Sequence, residues 1–175
     1  MKYGCKEIVS YSKRYGHNKT CDYVPCSCPH SGCSFIGLSK QLYQHYGTKH
    51  NPSRIRFSYN QGASVLLTTS QKFLIFQEER EGVLFILQNK VEILGNMMTV
   101  CCMGPPSLKQ RYFYELTVEK DESSLKLQSF TETTQSRVGD PPSAGFLLVP
   151  GEFFGSYGQI SLDLTIWRHC DYHFE

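Results

Sequence analysis

The chain has 175 residues, 40% of them apolar and 13% aromatic, and a net charge of +2. That composition supports a packed core and excludes global disorder. No apolar run approaches the roughly 20 residues of a membrane span, and the first residues hold no signal-peptide core. The expectation is a soluble, intracellular chain of the cytoplasm and/or nucleus, with no membrane partner.

Charge and cysteines are both concentrated at one end. Residues 1–60 carry nine Lys/Arg against Glu7 and Asp22, a net of +7, while the remainder nets −5. Five of the eight cysteines lie in the first 33 residues, and four of the six histidines in the first 50. A disulfide framework would not need histidines at matching intervals, so metal binding is the better explanation.

In chain order, the first group is Cys5-x11-His17-x3-Cys21. A short helix after Ser12 would let His17 and Cys21, four apart, face one ion. These are three ligands for a zinc whose fourth ligand is absent. Three ligands plus water is also the catalytic zinc pattern, with Glu7 and Asp22 the nearest carboxylates.

The second group is Cys28-x4-Cys33-x11-His45-x4-His50, close to the spacing of structural zinc sites. Two cysteines on a turn offer two thiolates, and a helix over Leu38–Tyr46 offers the histidines. Ser39 is the expected N-cap, Leu42 the core-facing residue, and Gly47 the helix end that lets His50 turn back. Ser34-Phe35-Ile36-Gly37 would fill the small core. Cys26 would crowd Cys28, and His30 follows Pro29, so both are read as bystanders. Four such ligands make a closed, structural zinc site.

A break falls at Asn51-Pro52-Ser53-Arg54, giving units 1–52 and 53–175. Strands are expected at Ile55–Tyr59, Ser64–Thr69, Lys72–Glu78, Val83–Gln88, Met97–Met103, Tyr112–Val118, Leu125–Phe130, Phe146–Val149 and Gln159–Trp167. Period-two alternation, clearest in Ile160, Leu162, Leu164 and Ile166, indicates a mainly β chain with an antiparallel sandwich. Glu79-Arg80-Glu81-Gly82 reads as a hairpin connection and Asp140-Pro141-Pro142-Ser143 as a loop. Cys101 and Cys102 point to opposite faces of a strand and are core residues. His169 and His173 lie in a polar tail. The pair Glu78-Glu79 and the cluster Glu119-Lys120-Asp121-Glu122 read as solvated turns. No catalytic signature appears.

At Tyr3-Gly4-Cys5-Lys6-Glu7, His17-x3-Cys21-x6-Cys28 and Cys33-x11-His45-x4-His50, the chain resembles the Seven in absentia (SINA) family of ubiquitin ligases, particularly its plant SINA-like group. The order of parts is similar too, and Lys72–Glu78 is the most alike stretch of the sandwich. The resemblance implies two zinc fingers followed by a TRAF-like sandwich that dimerises and binds substrates. Cys28, Cys33, His45 and His50 match the second finger in full. Cys5, His17 and Cys21 match the last three ligands of the first, whose opening cysteine is not in this chain. In that family a RING precedes the fingers and recruits the conjugating enzyme. Nothing upstream of Cys5 supplies RING ligands, so the chain is expected to be inactive as a ligase alone, whether as a fragment or a short form.

By the same resemblance a substrate protein would lay an extended peptide along Ser53–Ser58, with Ser53, Ile55, Arg56 and Phe57 as the candidate contacts. The expected partners are such substrates, a second copy or a SINA-like relative through the sandwich, and a conjugating enzyme only if a RING exists upstream. The alternative is a nucleic-acid-binding finger protein using the +7 head, with Lys40, Gln41 and Gln44 on its helix. An enzyme built on the three-ligand site is a third reading.

Overall fold

The computed structural model describes residues 3–80, 82–109, 111–136 and 145–171. Residues 3–50 form two small units. In the first, a 3-10 turn over Tyr11–Lys13 runs into helix α1 (Arg14–Asn18). In the second, strands β1 (Cys26–Ser27) and β2 (Ile36–Gly37) pair antiparallel, and helix α2 (Ser39–Lys49) follows.

The rest is β: β3 (Arg54–Phe57), β4 (Ala63–Thr68), β5 (Phe73–Glu78), β6 (Leu84–Glu92), β7 (Gly95–Met103), β8 (Tyr112–Lys120), β9 (Ser123–Phe130), β10 (Glu132–Thr134), β11 (Leu147–Val149) and β12 (Gln159–Arg168). All nine expected strands are present, and β6 runs on to Glu92 rather than stopping at Gln88. Strand β10 was not expected. Its three polar residues carry no alternation signal, and they pair in parallel with Cys101–Met103 of β7.

Two sheets stack. One has the order β10-β7-β6-β5-β3, with β11 also on β7, and the other β4-β12-β8-β9. Most pairs are antiparallel; β3–β5 and β10–β7 are parallel. Between the sheets lie Phe76, Phe85, Leu87, Val100, Tyr114, Leu116, Leu162 and Leu164, all buried. Strand β12 alternates as expected, with Ile160, Leu162, Leu164 and Ile166 inside.

The opposite face of the larger sheet is covered too. Ile75, Leu84, Ile86 and Met103 point outward and pack with Leu42, Tyr46, Cys26 and Cys28 of the second finger. This explains why Leu84–Leu87 is a continuous apolar run: a strand covered on both faces has no polar side to alternate with. The molecule is therefore three layers at this end, finger on sheet on sheet.

Several local expectations change. The N-cap of α2 is Leu38, not Ser39, and Gln41 Oε1 accepts the Leu38 N–H at 3.0 Å. The Ser39 hydroxyl instead donates to the Met103 carbonyl at 3.0 Å, across to β7. Gly47 does not end the helix, which continues to Lys49. A Cβ at Gly47 would sit 2.9 Å from Arg54 Nη1 and 3.0 Å from Gln77 Nε2, so the glycine lets the helix approach the sheet. Glu78 is not solvated; it is 2% exposed, and its carboxylate accepts the Arg80 N–H at 2.6 Å. The His169 ring meets Phe130 edge-on at 5.1 Å.

The turn after β5 ends in Gly82 at φ +75°, as a hairpin connection requires. Of the cluster expected as a turn, only Asp121 and Glu122 form one, exposed between β8 and β9; Glu119 and Lys120 are the last residues of β8, paired with Ser124 and Ser123. The Asp140–Ser143 loop, Glu81 and His173 lie outside the described residues. Among those described, no helix is long and apolar enough to cross a membrane.

Candidate metal centres

The structure gathers Cys28, Cys33, His45 and His50 so that one ligand atom from each lies within 4.8 Å of all the others. The elements explain the convergence. Cys28 follows β1, and its N–H donates to the Phe35 carbonyl at 2.9 Å, closing the knuckle over Cys33. His45 sits one residue from buried Tyr46 on α2, so the face that packs on the sheet also fixes the angle of its neighbour. His50 is the C-cap of α2, held by its N–H to the Tyr46 carbonyl at 2.9 Å.

The donor set fits zinc. Cys33 Sγ lies 3.2 Å from His45 Nε2. Zn–S near 2.3 Å and Zn–N near 2.0 Å imply a tetrahedral sulfur–nitrogen edge of about 3.5 Å. His50 Nε2 is buried and has no hydrogen-bond partner among the described residues, which suits a nitrogen whose lone pair serves as a metal donor. Burial lowers the pKa of His45, with Lys49 adding to the effect. Burial does the same to His50, helped by the facing His30 and His45. Both shifts favour the neutral imidazole, which is the form that coordinates a metal.

Cys26 and His30 stay outside this cluster. Cys26 is wholly buried in the core between finger and sheet, where burial pushes its thiol up to about 11. His30 lies against the ring of His50.

Cys5, His17 and Cys21 also converge, with ligand atoms within 4.8 Å of one another. Cys5 Sγ is 3.3 Å from His17 Nε2. Cys21 is not on the helix with His17; it lies in the turn beyond α1, its N–H bonded to the His17 carbonyl at 2.9 Å. Burial raises the Cys21 thiol, partly offset by the Tyr23 N–H it accepts, and neighbouring Cys5 adds to the rise. Glu7, read from the sequence only as a carboxylate near the site, takes a different part. Glu7 Oε2 lies 2.9 Å from His17 Nδ1, which orients the ring with Nε2 toward the two sulfurs. That is the usual outer support of a metal-binding histidine. Glu7 is thus engaged by a ligand rather than poised as the base of a hydrolytic zinc. Its offset of two from Cys5 was the available signal.

Both clusters can bind zinc. The metal would act as a crosslink that releases ligand protons on binding and supplies folding free energy.

The residues named for peptide contact are spread over different environments. Ser53 ends a 3-10 turn, and its carbonyl accepts the Tyr46 hydroxyl at 3.4 Å. Ile55 packs against the sandwich core, Arg56 is exposed and Phe57 is buried in that core. Strand β3 stands at the end of its sheet, paired on one side to β5.

Residues 1–61 match the family model described as Sina, zinc finger. The chain carries a Sina zinc finger. Similarity to curated proteins extends past the fingers. It is 32% identical to E3 ubiquitin-protein ligase SINA-like 10 of Arabidopsis thaliana over 95% of its own length and 47% of that protein's. It is 28% identical to E3 ubiquitin-protein ligase SINA-like 2 over 95% of the chain and 54% of the relative. With E3 ubiquitin-protein ligase SINA-like 7 it shares 34% identity over 85% of the chain and 54% of the relative. Both are also from Arabidopsis thaliana. The chain spans about half the length of these relatives. The nucleic-acid alternative gains no support here, and Gln41, one of its three reading residues, is occupied in capping α2.

Proposed function

We propose that this chain works in ubiquitin-dependent protein degradation, as the substrate-binding and dimerisation part of a SINA-like E3 ubiquitin ligase in the cytoplasm or nucleus. The observation that carries the reading is one alignment running through fingers and sandwich alike, over 95% of the chain, to a protein named as such a ligase. In this reading Cys28, Cys33, His45 and His50 hold one structural zinc, and Cys5, His17 and Cys21 hold a second. Residues 1–52 are the double finger, and residues 53–175 the TRAF-like sandwich.

No side chain here is given a catalytic role. The chain presents a substrate, and contact with a conjugating enzyme would need a RING. Substrate adds as an extended segment along Ser53, Ile55, Arg56 and Phe57. What supports this is the edge position of β3 among the described strands, whose outer side can template another strand. Because the Phe57 side chain is in the core, its share of the contact would be through the backbone. A second copy, or a SINA-like relative, pairs through the sandwich.

The test is reconstitution. The purified chain is incubated with activating enzyme, conjugating enzyme and ubiquitin, with and without a full-length SINA-like ligase. The expected result is no conjugates from the chain alone and co-purification with the full-length ligase. Ubiquitin conjugates formed by the chain alone would overturn the adaptor reading.

A further inference from the structure

The two histidines of the second cluster lack the outer support that His17 has. Glu7 is paired with His17, and among the described residues no carboxylate is paired with His45 or His50. A metal-binding imidazole needs its ring plane fixed, because the donor lone pair lies in that plane. Here each ring is backed by another ring instead. Phe35 stacks on His45, with centroids 4.0 Å apart and planes 4° from parallel. His30 stacks on His50 at 4.0 Å and 9°. His45 and His50 then meet edge-on, at 5.1 Å and 74°.

The backbone that presents the cysteines also presents these rings. Cys33 N–H donates to the His30 carbonyl at 3.2 Å, closing a turn over Ser31 and Gly32. Gly32 takes φ +77° at the third position, as a type II turn requires. The turn that returns Cys33 toward Cys28 therefore starts at His30, and it sets that ring against His50. His30 is itself held, with Nδ1 at 2.9 Å from the Ser31 carbonyl oxygen. Phe35 sits two residues past Cys33, on the arm that returns to β2.

We infer that His30 is a positioning residue for the second metal centre: its ring plane, not its nitrogens, fixes the orientation of His50, as Phe35 fixes that of His45. The inference rests on the zinc reading of Cys28, Cys33, His45 and His50. It assigns a role to a histidine that is outside the ligand set, and it predicts that any flat ring can replace it.

The experiment uses the full chain with 15N-labelled histidine. The His50 ring signals are followed during zinc competition with a chelator, which separates this centre from the first. Cobalt substitution then reports the coordination geometry through its visible absorption. His30→Ala should weaken zinc at this centre by about 10–100-fold, the usual cost of losing an outer-shell support. His30→Phe, which keeps the stack and removes both nitrogens, should stay within about threefold of the parent and keep its cobalt spectrum. Thermal unfolding of the sandwich shows that each variant is folded.

Parent-like affinity in His30→Ala would overturn the inference. So would a loss in His30→Phe as large as in His30→Ala, which would make His30 act through a nitrogen. Failure of the underlying zinc reading looks different: the parent His50 signals would ignore zinc, and Cys28→Ser would leave the metal content unchanged.

Discussion

The two fingers are built from similar ligands but are held in different ways. In the first, neither Tyr11–Lys13 nor α1 contributes a buried residue. Ile8 is 100% exposed and Tyr11 92%. In the second, Leu42 and Tyr46 are each 1% exposed, and they share a core with Ile75, Leu84, Ile86 and Met103 of the sandwich. Polar bonds tie the same joint. Tyr43 OH donates to the Glu78 carbonyl at 2.7 Å, and Gln77 Nε2 to the Tyr43 carbonyl at 3.2 Å. The Ser27 N–H reaches the Gln135 carbonyl at 2.8 Å. A finger with no apolar core has only its metal to offset chain entropy, whereas a docked finger has metal and burial together.

Metal removal should expose this difference most sharply. Structural zinc supplies about 10–16 kcal/mol in isolated fingers. With a strong chelator, amide exchange should lose all protection around His17 and Cys21, while α2 keeps part of its protection through the sandwich. Equal loss in both fingers would break the comparison.

Leu42→Ala comes next, at about 2–5 kcal/mol of destabilisation in urea unfolding, because the cavity opens between helix and sheet. The same variant should leave metal affinity at the first centre unchanged.

Glu7→Gln should weaken metal at the first centre by about 10–100-fold and leave the second untouched, as read by chelator competition. Equal affinity in parent and variant would mean that the pairing with His17 is incidental.

Acid acts on the docked finger in the metal-free chain. Folding lowers the His45 and His50 pKa values below the ordinary 6.5, so the unfolded state binds more protons as pH falls through that value. Stability should therefore be full above about pH 7 and decline as pH drops through 6. A melting temperature that rises on acidification over this interval would contradict the assignment.

The smallest effect is expected for Tyr11→Ala. Largely solvated, in a unit whose helical turns bury no residue, it should change stability by no more than about 0.5 kcal/mol.

The sequence was informative where the determinants are local. Cys28-x4-Cys33 and His45-x4-His50 each close within one turn or one helix, so spacing alone places their members together. Strand β12 has one face on the core and one in solvent, and its alternation shows that directly. What stayed hidden is set by distant contacts. Ser39 looks like a cap, yet its hydroxyl is drawn 64 positions along the chain to Met103. Gly47 looks like a helix stop, yet it is small because Arg54 and Gln77 crowd it. Glu78 looks like a turn residue, yet the docked helix and the following backbone bury it. Strand β10 has no pattern because it borrows its partner from the end of β7.

The short crossing from α2 to β3, His50 followed by the 3-10 turn Asn51–Ser53, has one more consequence. Composition changes at this point, so it is where an engineer would join modules from two relatives. The apolar surface does not change there. A chimera spliced at residue 53 would strip Ile75, Leu84, Ile86 and Met103 of their cover unless the incoming finger brought matching side chains. The exchangeable unit at this joint includes α2 together with the sheet it covers, and a clean exchange would take both from the same parent.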